Sequence, residues 1–124
     1  MLPVEEITDA DGQKGREEMQ EKNYSRYAVV MKALGDETRI RIIDMLATGE
    51  LCACDILEEF HITQPTLSYH MKILVESGIV QSRKAGTWTR YSINQEVLGA
   101  ITGFLDGISE SVEGQVDGIR LMRG

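Results

Sequence analysis

Between Thr63 and Ile93 the apolar pattern changes period once, from helical to alternating, and that switch leaves few folds open to the chain. In TQPTLSYHMKILVESG, Thr63 is a good N-cap and Pro65 fits a first turn, where its missing N–H costs nothing. Leu67, Met71, Leu74 and Val75 form an inward stripe, and Gly78 ends the run. Directly afterwards Val80 and Ser82, then Trp88, Arg90 and Ser92, alternate about Ala85-Gly86, the pattern of a two-stranded hairpin.

Upstream, Tyr24, Tyr27, Ala28, Met31 and Leu34 recur at helical spacing until Gly35. Asp36 is an N-cap with Glu37 in the first turn, and Ile40, Ile43, Met45 and Leu46 predict the buried side of a second helix that stops at Gly49. Ile56, Leu57 and Phe60 mark a short third helix, entered just after Cys52 and broken near His61. Val97, Leu98, Ile101, Phe104, Leu105 and Ile108 predict a last helix. The expected fold is therefore mostly α with a small β-hairpin: a winged helix-turn-helix of about five helices plus a two-stranded wing. A chain of 124 residues supports one core. Residues 24–110 are expected to hold it, with 1–23 an acidic arm, flexible or partly helical, and 111–124 a tail.

No apolar run approaches the ~18 residues of a membrane span, and MLPVEEITDADG lacks the basic and apolar blocks of a signal peptide, so a cytoplasmic protein is expected. The net charge of −7 argues at first against nucleic acid, because phosphate contacts are made by Lys and Arg. The acids are unevenly spread, however. Residues 63–93 carry Lys72, Arg83, Lys84 and Arg90 against the single acid Glu76, a basic island that marks a face for an anion.

The predicted fourth helix agrees with that assignment. With Gln64 at zero, Ser68, Lys72 and Tyr69 fall at roughly 40°, 80° and 140°, away from the apolar stripe. Gln64, Ser68, Tyr69 and Lys72 thus share a polar surface of types that read base edges and grip phosphate, with Thr66 and His70 on its flanks. His70 borders the core and is expected to be a structural hydrogen-bonder. In the hairpin, Arg83, Lys84, Thr87 and Arg90 sit near the turn, where they could hold phosphates or a minor groove; Trp88 is a candidate wing-tip contact or packing residue, with packing expected. One recognition helix touches too few bases to discriminate well, so a homodimer on double-stranded operator DNA is expected. A winged helix that binds protein instead of DNA is the rival that the acidity would suit. No nucleophile, base and orienter stand at usable spacing, and there is no phosphate loop, so an enzyme is not expected.

Over residues 24–108 the chain resembles the ArsR/SmtB family of bacterial winged-helix metalloregulators. The resemblance is carried by LGDETR, ELCACD, TQPTLSYHMKIL and the G-x-W and x-x-Y elements of the wing. It implies a homodimer joined through the first and last helices that represses its own operon until an inducer binds.

The only two cysteines, Cys52 and Cys54, stand two residues apart. A relaxed disulfide is not expected across so short a span, and a reducing compartment would keep both as thiols. Inside a helix they would point about 200° apart, but at a helix entrance both sulfurs can converge. The positive helix end favours their thiolates, opposed by Glu50 and Asp55. Thiolates suit As(III), Sb(III), Cd(II), Pb(II) or Cu(I). ELCACD is similar to the ELCVCD element of arsenic-responsive members, whose third cysteine follows the second by three residues; here that position is Leu57. Cadmium- and lead-responsive members add N-terminal cysteines, and zinc- and nickel-responsive ones use histidines on the last helix; this chain has neither. The resemblance therefore implies As(III)/Sb(III) as inducer at Cys52 and Cys54, with no obligatory cofactor. Cd(II)/Pb(II), thiol oxidation or sulfide, and cysteines that sense nothing remain the alternatives.

Overall fold

The computed structural model describes residues 23–123, with side chains through residue 115. The arm expected over 1–23 lies outside the described residues apart from Asn23. Among the described residues, five helices and three strands follow in the order α1 (Tyr24–Ala33), α2 (Glu37–Leu46), β1 (Leu51–Cys52), α3 (Ala53–Glu58), α4 (Gln64–Ser77), β2 (Val80–Ala85), β3 (Trp88–Ile93) and α5 (Gln95–Arg123). This is the predicted winged helix-turn-helix, with α3 and α4 as its helix pair. The last helix runs unbroken through residue 110, where the tail was expected to begin. Among the described residues no helix is long and apolar enough to cross a membrane.

Each boundary has a local cause. Asp36 accepts a hydrogen bond from the Arg39 amide at 3.2 Å and starts α2. Thr63 does the same for Thr66 at 3.3 Å and starts α4, whose second residue is Pro65. Gly78 stops α4 in the left-handed region, φ 93°, where a side chain would be strained. Asn94 caps α5 by accepting from the amides of Glu96 and Val97.

The wing is larger than the expected hairpin. β2 and β3 pair antiparallel around Gly86 and Thr87, and β1 adds an edge, giving the order β1-β3-β2. Two residues suffice for β1 because Leu51 pairs with Tyr91 and Cys52 with Arg90, a segment too short to show a period in sequence.

The core lies where α1, α2, α4 and the wing meet, around Val30, Ile42, Ile56, Leu67, Met71, Leu74, Ile79 and Val80, each no more than 2% exposed. In α2 the expected stripe is corrected. Ile42 and Leu46 are buried, whereas Ile40 is 54% exposed. Arg39 explains the difference, because it shares the inward face with Ile42 and Leu46 at i, i+3, i+7 spacing. Its Nε donates to the Ala33 carbonyl at 2.6 Å and its guanidinium to His70 Nδ1 at 3.0 Å. A charged residue satisfied at the core edge hides the true stripe from a count of apolar positions. His70, 9% exposed, is the structural hydrogen-bonder expected, and its Nδ1 must be an acceptor because Arg only donates.

Ile42→Ala should therefore cost about 2–5 kcal/mol in urea unfolding and Ile40→Ala about 0.5 kcal/mol or less. Equal losses would place the buried side back on Ile40.

Candidate nucleic-acid interface and thiol site

The outer face of α4 carries Gln64, Thr66, Ser68, Tyr69 and Lys72, all exposed, with Tyr69 at 61%. Thr66 is partly committed to the N-terminus of α4, since its hydroxyl accepts a hydrogen bond from Thr63 Oγ1 at 3.0 Å. The remaining four stand free on one helical surface.

The wing divides the other candidates. Cross-strand pairing puts Arg83 opposite Arg90, and Lys84 opposite Thr89. Because side chains alternate along a strand, Arg83 and Arg90 share one face of the sheet and Lys84 lies on the other. Arg83 is not free: its guanidinium grips Glu50 in a two-pronged contact, Nε to Oε2 at 2.7 Å and Nη2 to Oε1 at 2.8 Å. Lys84 and Thr87 are exposed near the turn, and Arg90 is half-buried beside Cys52 on the neighbouring strand. Trp88, expected to pack, is 56% exposed; it lies at the end of the ladder opposite Ala85.

Cys52 belongs to two elements at once. Its backbone is the last residue of β1 with extended φ −86° and ψ 163°, and its sulfur is the N-cap of α3, accepting from the Asp55 amide at 3.3 Å. Asp55 completes a capping box by accepting from the Cys52 amide at 3.1 Å. This strand-to-helix turn brings the sulfurs of Cys52 and Cys54 together, and the structure joins them in a disulfide with Cα atoms 5.4 Å apart. The convergence expected at a helix entrance is thus met, and the bridge is the oxidised form of the same pair. A continuous helix would have held the sulfurs apart, whereas the turn gives a Cα separation ordinary for a bridged pair. Cys52 is buried and Cys54 exposed. A carboxylate oxygen of Asp55 and both sulfurs lie within 4.8 Å of one another, so the donor set fits a soft or borderline acceptor once the pair is reduced.

From Cys54 an open cleft of about 430 Å³ runs between α3, α4 and the wing. Leu57, Leu67 and Met71 form its apolar wall, Gln64 and Ser68 its α4 rim, and Thr87, Trp88 and Tyr91 its wing side. Burial pushes the Tyr91 phenol up, which keeps it protonated. The thiol site and the outward face of α4 thus border one space. Sequence spacing gave no sign of it, because its walls come from three segments.

Comparison with known proteins agrees with this geometry. Residues 36–82 match the family described as bacterial regulatory protein, arsR family. The chain is 46% identical over 92 residues to an arsenical resistance operon repressor of Staphylococcus xylosus, covering 74% of this chain and 88% of that one. Among solved structures, an ArsR-like transcriptional regulator from Rhodococcus sp. RHA1 superposes with TM-score 0.69 at 25% identity, over 81% of this chain and 94% of that one. A homodimeric winged helix-turn-helix DNA-binding domain from Mycobacterium bovis gives 0.59 at 26% identity, over 73% and 84%.

The Arg83 guanidinium, through hydrogen bonding above all, holds the Glu50 carboxyl below its ordinary value of 4.5. A depressed folded value means that the pair's stabilisation is full above about pH 4.5 and fades as pH falls through the lowered value. An NMR titration of the Glu50 carboxyl should show the depressed midpoint, and Arg83→Ala should return it to the ordinary range. An unchanged midpoint in that variant would mean that the two residues are apart in solution.

Proposed function

Because this chain belongs to the arsR family of bacterial regulatory proteins, transcriptional regulators and not enzymes, we propose that it is a homodimeric repressor of operator DNA released by trivalent arsenic or antimony at Cys52 and Cys54. The observation that carries the proposal is the double role of Cys52. Its sulfur caps the helix that leads into α4, and its backbone stands in β1, opposite Arg90 of the wing.

On DNA, Gln64, Ser68, Tyr69 and Lys72 of α4 enter the major groove, with Thr66 at their flank. Lys84 and Thr87 of the wing meet the backbone or an adjacent minor groove, while Arg83 and Arg90 approach from the other sheet face. The dimer forms through α1 and α5. Tyr24 and Val29 on α1 and Leu105, Ile108 and Val112 on α5 are about half or more exposed in the single chain. The last three recur at i, i+3 and i+7, one stripe suited to a partner helix. The M. bovis relative, a homodimer, supports dimerisation, and the S. xylosus relative, an arsenical resistance repressor, supports the inducer.

Arsenite reaches the reduced pair as a neutral hydroxide. Each thiol replaces one hydroxyl, two As–S bonds form, and two waters leave. The bound sulfur of Cys52 then has a new partner and a weaker claim on the Asp55 amide, so α3 loses its cap and β1 its position beside β3. Coupling of this kind is typically worth ~1–3 kcal/mol, roughly 5- to 150-fold in DNA affinity.

Fluorescence anisotropy of the reduced protein on its promoter DNA, with and without arsenite, tests the proposal. The native chain should release DNA, whereas Cys52→Ser and Cys54→Ser should hold it. Binding should also weaken with salt, with a slope lowered by about 1 in Lys72→Ala. Tight DNA binding that arsenite leaves unchanged would contradict the inducer, and salt-independent binding would contradict the DNA interface.

A further inference from the structure

We propose that the cleft between α4 and the wing seats one sugar–phosphate strand of the operator, and that Trp88 on its wing side is a DNA-contacting residue. The inference rests on the operator-binding function proposed above and adds a backbone site to it. Two elements that enter neighbouring grooves of a duplex must straddle the strand that separates those grooves. In this fold α4 and the wing are those elements, and the space between them is an open cleft of about 430 Å³. The cleft is continuous with the groove-reading face of α4, because Gln64 and Ser68 belong to both.

The lining suits such a strand. Among the described residues no Lys, Arg, Asp or Glu lines the cleft. Its polar groups include the Gln64 amide and the hydroxyls of Ser68, Thr87 and Thr89, neutral donors of the kind that hold phosphate oxygens and fix a protein's register on the duplex. Positive charge comes from the edges. Lys72 stands one turn beyond Ser68 on α4, and Lys84 shares a sheet face with Thr89, its cross-strand partner. Trp88 borders the cleft and is 56% exposed at the end of the ladder. A large aromatic ring left open there gains by packing on a deoxyribose, whose C–H face is apolar.

The same placement ties the strand to one thiol. Cys54 is exposed and lines the cleft, whereas Cys52 is buried. A strand seated in the cleft therefore covers Cys54, and a bulky group attached to Cys54 keeps the strand out.

The test uses the full reduced chain and its promoter DNA. Trp88 is the single tryptophan, so intrinsic fluorescence reports on the wing side alone, and operator DNA should protect it from quenching by acrylamide. Trp88→Ala should weaken operator binding by about tenfold, the scale of losing part of a buried ring, and Trp88→Phe should regain most of that loss. The ring displaces no counterions, so the salt slope should stay unchanged in Trp88→Ala, in contrast to its fall in Lys72→Ala. In Cys52→Ser, Cys54 is the one thiol left. Operator DNA at about ten times its Kd should slow alkylation of that thiol by a dye-sized maleimide about tenfold, and the alkylated protein should no longer bind DNA. Trp88 as open to acrylamide on the operator as in the free protein would overturn the seat. So would a Cys54 that reacts at the same rate on DNA, even with Trp88 protected, because the wing tip would then meet DNA outside the cleft. A chain that binds no promoter DNA would instead overturn the operator-binding function on which the seat rests.

Discussion

The geometry of this chain turns on the peptide of Cys52. That residue ends a strand, begins a helix and offers its sulfur as the helix cap. A serine or aspartate is the usual choice for such a cap because oxygen accepts an amide hydrogen bond better. A sulfur there is a weaker acceptor, but it can form bonds to a soft element that oxygen forms poorly. Local stability is thereby tied to the chemical state of one side chain, and two DNA-facing elements hang from the same point.

Those elements are held to the rest of the domain by polar contacts as well as by the core. Arg39 spans the end of α1 and the middle of α4 through the Ala33 carbonyl and His70. Glu50, two residues before Cys52, holds Arg83 of β2. The second contact is surface-exposed, so its contribution to stability is small, yet it fixes which way Arg83 points. It also reduces the positive charge that the wing shows to DNA, in a chain already at −7. In the proposed complex, the free cations left on α4 and the wing to meet phosphate are Lys72, Lys84 and Arg90, doubled in a dimer.

Much of this was legible in sequence where one segment fixes its own structure. The ends of α4 are written by Thr63, Pro65 and Gly78, and the turn of the wing by Gly86. Illegible features depend on segments distant in sequence. β1 exists because β3 pairs with it; two residues carry no period of their own. Ile42 was missed because Arg39, satisfied from α1 and α4, occupies the inward face of its helix. Trp88 was expected to pack rather than to make a wing-tip contact, and its 56% exposure follows from its place at the end of the ladder, opposite Ala85, which pairing sets. The cysteines were expected to converge at a helix entrance, and the backbone turn that brings their sulfurs together is set by pairing with Arg90, distant in sequence.

The central claim, that occupancy of the thiols acts through the cap and strand at Cys52, is tested most directly by amide hydrogen exchange of the reduced dimer with and without arsenite. The account predicts faster exchange at Asp55, whose amide bonds the Cys52 sulfur, and at Tyr91, paired with Leu51 of β1, with the centre of α4 unchanged. Arsenite binding that leaves those two amides as protected as before, or that changes exchange only in α1 and α5, would contradict it.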